Sequence, residues 1–253
     1  MFYNLILNKI MNFIRKFIFL TNKKFDYVFF SEGRYYQTYF DEFIKLIARN
    51  INNDLIYLSS DKNDVINEKN IRNIYIGNGF LRLFYLSVIK CKYFFMTLTD
   101  LNNHNIRRSK NIEKYVYIFH AANSTHRAYT KNAFNNYDII LCPGIKHEEE
   151  IKKTENLYKL KKKKLVRSGY FFLDKIRNLN LKQNNKILTI LVAPSWNYKN
   201  ANFVNDYLDQ LLFNLLSANK YKVIFRPHPE TLKREKKIID IIKNKYSSNK
   251  NFS

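Results

Sequence analysis

From Phe25 onward, short apolar runs alternate with longer segments of helical periodicity, and this alternation restricts the fold more than any other feature. Residues 26–33 (DYVFFSEG) read as a strand ending in a turn at Gly33. Residues 35–50 (YYQTYFDEFIKLIARN) read as one helix with Phe40, Phe43, Ile44 and Ile47 on a common face. Further strands are expected at 54–60, 71–79, 92–101, 114–122 and 138–144, with helices at 80–90, 125–137 and 147–160. KLVRSGYFFLD, residues 164–174, closes the series as a strand and turn. Strands separated by crossover helices pair in parallel, so the pattern predicts a doubly wound α/β sheet.

The polar stretch LNLKQNNK, residues 179–186, reads as a linker. A second unit follows: a buried strand at 186–196, a helix at 202–220, a strand at 221–230 and a helix at 231–246. Two strands and two helices leave a sheet edge and an apolar face uncovered. The expectation is that this unit packs heavily on the first or belongs to a protein that continues further. The division is therefore an N-terminal amphipathic helix over 1–20, a Rossmann-like domain over 21–180 and a partial Rossmann-like domain over 181–253.

Hydrophobic residues make up 46% of the 253 residues, enough for a sizeable core. Cys91 and Cys142 end apolar runs with neither metal-ligand spacing nor a disulfide framework, which fits buried thiols in a reducing compartment. Lys9, Arg15 and Lys16 interrupt the apolar N-terminus, so it is neither a clean membrane span nor a secretory leader. Leu5, Ile6, Ile10, Phe13, Ile14 and Phe17 recur at helical spacing. A helix packed on its own domain is expected, with a helix lying on a membrane as the alternative.

The formal net charge is +23, from 44 Lys plus Arg against 21 Asp plus Glu. That excess suits anionic partners such as nucleic acid, an acidic membrane surface or phosphorylated substrates. Lys greatly outnumbers Arg, and Asn, Ile, Tyr and Phe are abundant, as an A/T-rich coding sequence also produces; both readings stay open. The cations are scattered rather than striped and no nucleic-acid motif appears, so specific nucleic-acid binding is not expected.

Ligands of open α/β sheets sit at the carboxyl ends of strands. There the first unit places Ser31, Glu32 and Gly33; Gly77 and Gly79; Thr99 and Asp100; His120; and Gly144. The second places Pro194, Ser195 and Trp196, then Arg226, His228 and Glu230. In RPHP two prolines stiffen the backbone around His228. Arg226 offers a fork that matches phosphate oxygens, and His228 can donate to phosphate or move a proton. His120, at a strand end just before a helix, is placed to act as a general base. Ser124 and Thr125 can cap that helix, and its free N–H groups can hold an anion. His126 reads as a helix-surface histidine. No third ligand accompanies the two histidines, so neither a metal nor another cofactor is expected. IGNGF reads as a tight turn, and the KLKKKK run at 159–164 as a solvated linker, its alternative being a patch for acidic lipid.

YVYIFHAANSTHRAYTKNAFNNYDIILCPGIKHEEEIKKTENLYKLKKKKLVRSGYFFLD (Tyr115 to Asp174), ILVAPSW (190–196) and FRPHP (225–229) together resemble the CDP-glycerol glycerophosphotransferase family. The shared order is a histidine after a strand, an aromatic-Asp element, Gly-Tyr then Leu-Asp, Ala-Pro-Ser-Trp and Arg-Pro-His-Pro. The resemblance implies a GT-B fold of two Rossmann-like domains, the second incomplete here. It also implies transfer of glycerol phosphate from CDP-glycerol to a hydroxyl of a lipid-linked polymer, teichoic acid or capsule, with release of CMP. The implied location is the cytoplasmic face of the cell membrane, as a peripheral protein on an anionic surface. It casts His120 as the general base and Arg226 and His228 as donor phosphate contacts; with the strand-end and helix-start readings above, His120 and His228 are the catalytic candidates, and Arg226, Ser195, Ser124 and Thr125 the candidate substrate contacts. Ala121 stands where the family commonly has Gly. The family's later Asp/Ser-rich turn is not present, so a truncated form whose transfer is very weak or absent is an expectation. Two rivals remain: a GT-B nucleotide-sugar glycosyltransferase or epimerase, and a non-catalytic basic protein at a membrane.

Overall fold

The computed structural model describes residues 2–103, 106–179, 187–196 and 203–253. Two compact units divide the chain, Met1–Asn180 and Leu181–Ser253. The polar 179–186 stretch lies, past residue 179, outside the described residues.

The first unit opens with α1 (Phe2–Asn22) and β1 (Phe25–Ser31). It continues through α2 (Arg34–Gln37), α3 (Asp41–Arg49), β2 (Leu55–Ser59), β3 (Ile71–Tyr75), α4 (Gly79–Val88) and β4 (Cys91–Met96). Then come β5 (Ile112–Ile118), α5 (Thr125–Ala128), β6 (Ile139–Cys142), α6 (Ile145–Leu157), β7 (Lys164–Arg167) and α7 (Phe171–Asn178). All seven strands are parallel, in the order β3-β2-β1-β4-β5-β6-β7. Side chains alternate across a strand, and the two cores follow that period of two. Val28, Phe30, Phe94 and Met96 point to one face with Tyr85 and Leu86 of α4. Phe29, Phe95 and Val116 point to the other with Phe40 and Ile44. Phe29 and Phe95 stack there at 4.3 Å across β1 and β4. A parallel sheet covered on both sides explains why β2 is buried along its whole length.

Three local expectations need correction. The single helix over 35–50 is split, because Phe40 leaves helical geometry (φ −146°, ψ 2°) and is buried against Tyr57 and Phe29. Helix over 125–137 survives only as the four residues of α5; Tyr129 is extended (φ −125°, ψ 153°), and Tyr129 and Phe134 turn inward onto Phe119. Burial of aromatics outweighs a weak local preference in a segment rich in Thr and Asn. Finally, Phe171 to Asp174 opens a helix rather than closing a turn, with Phe171 stacked on Phe43 at 4.6 Å.

Another departure concerns the lysine run. The side chains of Lys163 and Glu155 are only 3% and 5% exposed and pair at 3.2 Å, while Lys164 starts β7. The Lys163 backbone N–H also donates to that carboxylate, at 3.0 Å. Part of the run is thus a buried ion pair at the return from α6 to the sheet.

The second unit contains β8 (Thr189–Val192), α8 (Phe203–Asp206), α9 (Leu208–Ser217), β9 (Lys222–Phe225), α10 (Pro229–Arg234) and α11 (Lys236–Tyr246). β8 and β9 are parallel. Leu208, Leu212 and Leu216 of α9 meet Val223, Phe225, Ile239 and Ile242 in one cluster. β8 is less buried than its apolar sequence suggests, Leu191 being 61% exposed. Beside β9, Phe252 forms a parallel bridge to Val223, and Ser253 accepts from the Phe225 N–H at 2.8 Å.

Candidate functional site

Strand order reverses direction between β1 and β4, and doubly wound sheets bind ligands in the crevice beyond the strand ends at such a point. Glu32 follows β1 there, and Leu98, Thr99 and Asp100 follow β4. With Arg82 they line a cavity of about 230 Å³. Burial pushes the Glu32 carboxyl above its ordinary range, and Arg82, 4.0 Å away, partly offsets this. Gly77 supplies the turn before α4 at φ +75°; a Cβ there would stand 2.9 Å from Leu81 Cδ2, so the GxG is a turn shaped by packing.

His120 lies two residues beyond β5, the strand next to β4 in the sheet. Around it stand Tyr36, Tyr39 and Tyr129, each edge-on at 5.8, 6.3 and 6.5 Å between centroids. Tyr170 donates to the His120 carbonyl at 3.0 Å, and burial pushes its own phenol up to about 12. Gly169, at φ +77°, makes the bend that delivers Tyr170. Burial lowers the His120 pKa, with the Thr97 backbone opposing it. Nδ1 of His120 is buried with no hydrogen-bond partner among the described residues. Burial thus disfavours the charged imidazolium, and aromatic walls frame the ring. The aromatic walls were not visible in the sequence: Tyr36, Tyr39 and Tyr170 come from segments remote from His120, and nothing local marks them.

Ser124 and Thr125 are engaged within the protein. Glu150 of α6 accepts from Ser124 Oγ at 2.7 Å, from the Thr125 N–H at 2.5 Å and from Thr125 Oγ1 at 2.7 Å. The donors expected to hold an external anion are thus filled by an internal carboxylate. His126 is exposed and its Nε2 lies 2.9 Å from the Glu150 carbonyl oxygen.

In the second unit, β8 and β9 run in register from Thr189 opposite Lys222 to Val192 opposite Phe225. Ser195, Arg226 and His228 therefore emerge at the same end of this small sheet, all exposed. The Arg226 N–H donates to the Val192 carbonyl at 2.9 Å, which leaves the guanidinium outside the sheet. His228 caps α10: its Nδ1 accepts from the Glu230 N–H at 3.1 Å, with Pro229 at the first helical position. Accepting at Nδ1 puts the ring proton on Nε2, so His228 presents a donor to solvent. Trp196 lies 4.9 Å from the Arg234 guanidinium. Among the described residues, no group of three or more His, Cys, Asp or Glu is gathered as a metal site needs.

Solved structures with similar folds include the wall teichoic acid polymerase TagF. One such structure is 16% identical with a TM-score of 0.54, covering 91% of this chain and 63% of that one. A TagF structure soaked with CDPG is 14% identical with a TM-score of 0.53, covering 90% and 59%. UDP-GlcNAc 2-epimerase from Methanocaldococcus jannaschii is 14% identical with a TM-score of 0.50, covering 91% and 72%. This chain thus spans under two thirds of the length of the TagF structures quoted. No family model matches the chain, and no curated protein matches it. At these identities the likeness establishes the fold: an α/β protein of the GT-B type, with parallel sheets.

Proposed function

We propose that the chain is a glycerophosphotransferase that moves glycerol phosphate from CDP-glycerol to a hydroxyl of a lipid-linked cell-envelope polymer. The observation that carries this reading is His120, its Nδ1 buried without a partner among the described residues and its ring framed by tyrosines, at the carboxyl end of β5 beside β4 in the sheet. The acceptor oxygen attacks the phosphorus that bears glycerol, the bond from that phosphorus to the bridging oxygen breaks, and CMP leaves. His120 takes the acceptor's proton, which a neutral imidazole can do and an imidazolium cannot. Arg226 and Nε2 of His228 are assigned to the phosphate oxygens, with Ser195 as a further donor. Such a reaction depends on positioning and on charge placed around the phosphates. The motifs shared with the CDP-glycerol family favour this donor, and the likeness to TagF supports it. The net charge of +23 suits an anionic polymer at the inner face of a membrane.

The similarity to an epimerase keeps a UDP-sugar enzyme as the second reading. Calorimetric titration separates them. CDP-glycerol is expected to bind, and Arg226→Ala to weaken it about tenfold or more, the cost of one charge-assisted contact. Binding of UDP-sugars with no response to CDP-glycerol would select the rival.

A further inference from the structure

A second cavity in the first unit, of about 290 Å³, opens between the 125–135 connection that follows β5 and the last two turns of α6. Much of its wall is apolar: Phe134 and Ile151, both buried, line it together with Leu157, Tyr158 and Leu160. Its accessible charges are positive. Lys131 and Lys153 line it and are exposed, and Lys131 Nζ stands 5.5 Å from the centre of the Tyr158 ring. Among the described lining residues Glu155 is the one acid, and its side chain is 5% exposed and paired with Lys163. Lys159, Lys161 and Lys162 of the lysine run, all exposed, flank Leu160 in the chain. His126 is already engaged, its Nε2 lying 2.9 Å from the Glu150 carbonyl oxygen and 3.1 Å from Thr154 Oγ1. The cavity shares no lining residue with the crevice between β1 and β4.

We infer that this cavity binds a small organic anion, its apolar ring against Phe134, Ile151 and Leu157 and its phosphate or carboxylate met by Lys131 and Lys153. Sites for small molecules pair an apolar lining with a few polar groups that fix orientation, and this lining has that composition. Both halves of the ligand are needed. An uncharged ring would take water from two ammonium groups and return no partner, which is costly. An inorganic anion would leave the apolar wall wet and forgo the gain from covering it. The volume suits a single ring system with its acidic group rather than the acyl chains of a phospholipid, so the anion is a soluble one. The inference goes beyond the transfer reaction and uses neither His120 nor the Arg226 and His228 pair.

Calorimetric titration of the full chain with 1-naphthyl phosphate provides the test. This probe is expected to bind at least about tenfold more tightly than 1-naphthol or inorganic phosphate, each of which carries one half of the chemistry. Lys131→Gln/Lys153→Gln should lose about tenfold of that binding. It should melt at the wild-type temperature, because both side chains are exposed. Leu157→Glu, which puts a carboxylate on the lining in place of a 67% exposed side chain, should lose a similar amount. Excess CDP-glycerol should leave the probe bound. Absence of binding at millimolar probe, equal binding of 1-naphthol, or binding unchanged in both variants would overturn the inference. So would displacement by CDP-glycerol, which would put the probe in the donor site, or by phosphatidylglycerol vesicles, which would assign the cations to a lipid headgroup. The titration measures no transfer, so its failure leaves the transfer reaction standing, and absence of transfer leaves this binding standing.

Discussion

Replacing His120 with Ala is expected to lower the rate of glycerol phosphate transfer by about 10²–10⁴-fold, the usual contribution of a positioned general base. Folding should change little, because the ring is framed by Tyr36, Tyr39 and Tyr129 rather than buried in either hydrophobic core. The pH profile carries a second signature. Desolvation disfavours the imidazolium, so His120 stays neutral as pH falls through the ordinary histidine range. The acid limb of kcat/KM should therefore lie below about 6.5, the unperturbed value. The unfolded chain, with its ordinary histidine, binds that proton more readily than the folded one. Acidification between the two values should accordingly reduce stability through this residue. A rate for His120→Ala within a few-fold of wild type, or an acid limb above the ordinary value, would remove His120 as the base.

The largest effect on stability is expected at the buried ion pair. Lys163→Met leaves the Glu155 carboxylate enclosed with its charge partner gone, and breaking such a pair costs about 3–5 kcal/mol. For a unit of this size that corresponds to a drop in Tm of roughly 6–20 °C in a thermal melt. The double variant Glu155→Leu/Lys163→Met removes both charges and should recover most of the loss. A single variant that melts within about 2 °C of wild type would show that the pair is open to water in solution.

Parallel organisation was legible because it is written in local pattern: runs such as LIYL, residues 55–58, are apolar at successive positions, as a strand covered on both faces requires. The position of His120 and of the Arg-Pro-His-Pro turn at the carboxyl ends of strands was legible because each directly follows a short apolar run. What remained hidden depends on contacts distant in sequence. Nothing near Phe40 announces that its burial interrupts a helix, and nothing near Ser124 announces Glu150, 26 residues on. Lys163 looks like its neighbours in the lysine run; only the fold shows that it alone turns inward toward Glu155.

The central claim is that the chain carries glycerol phosphate from CDP-glycerol to a polymer hydroxyl with His120 as base. The most direct measurement incubates the protein with CDP-glycerol and membranes bearing acceptor, and follows CMP release together with glycerol phosphate entering polymer. The account predicts that the two appear in equal amounts and that both disappear in His120→Ala. Consumption of a UDP-sugar without CMP release, or CMP release that His120→Ala leaves intact, would contradict it.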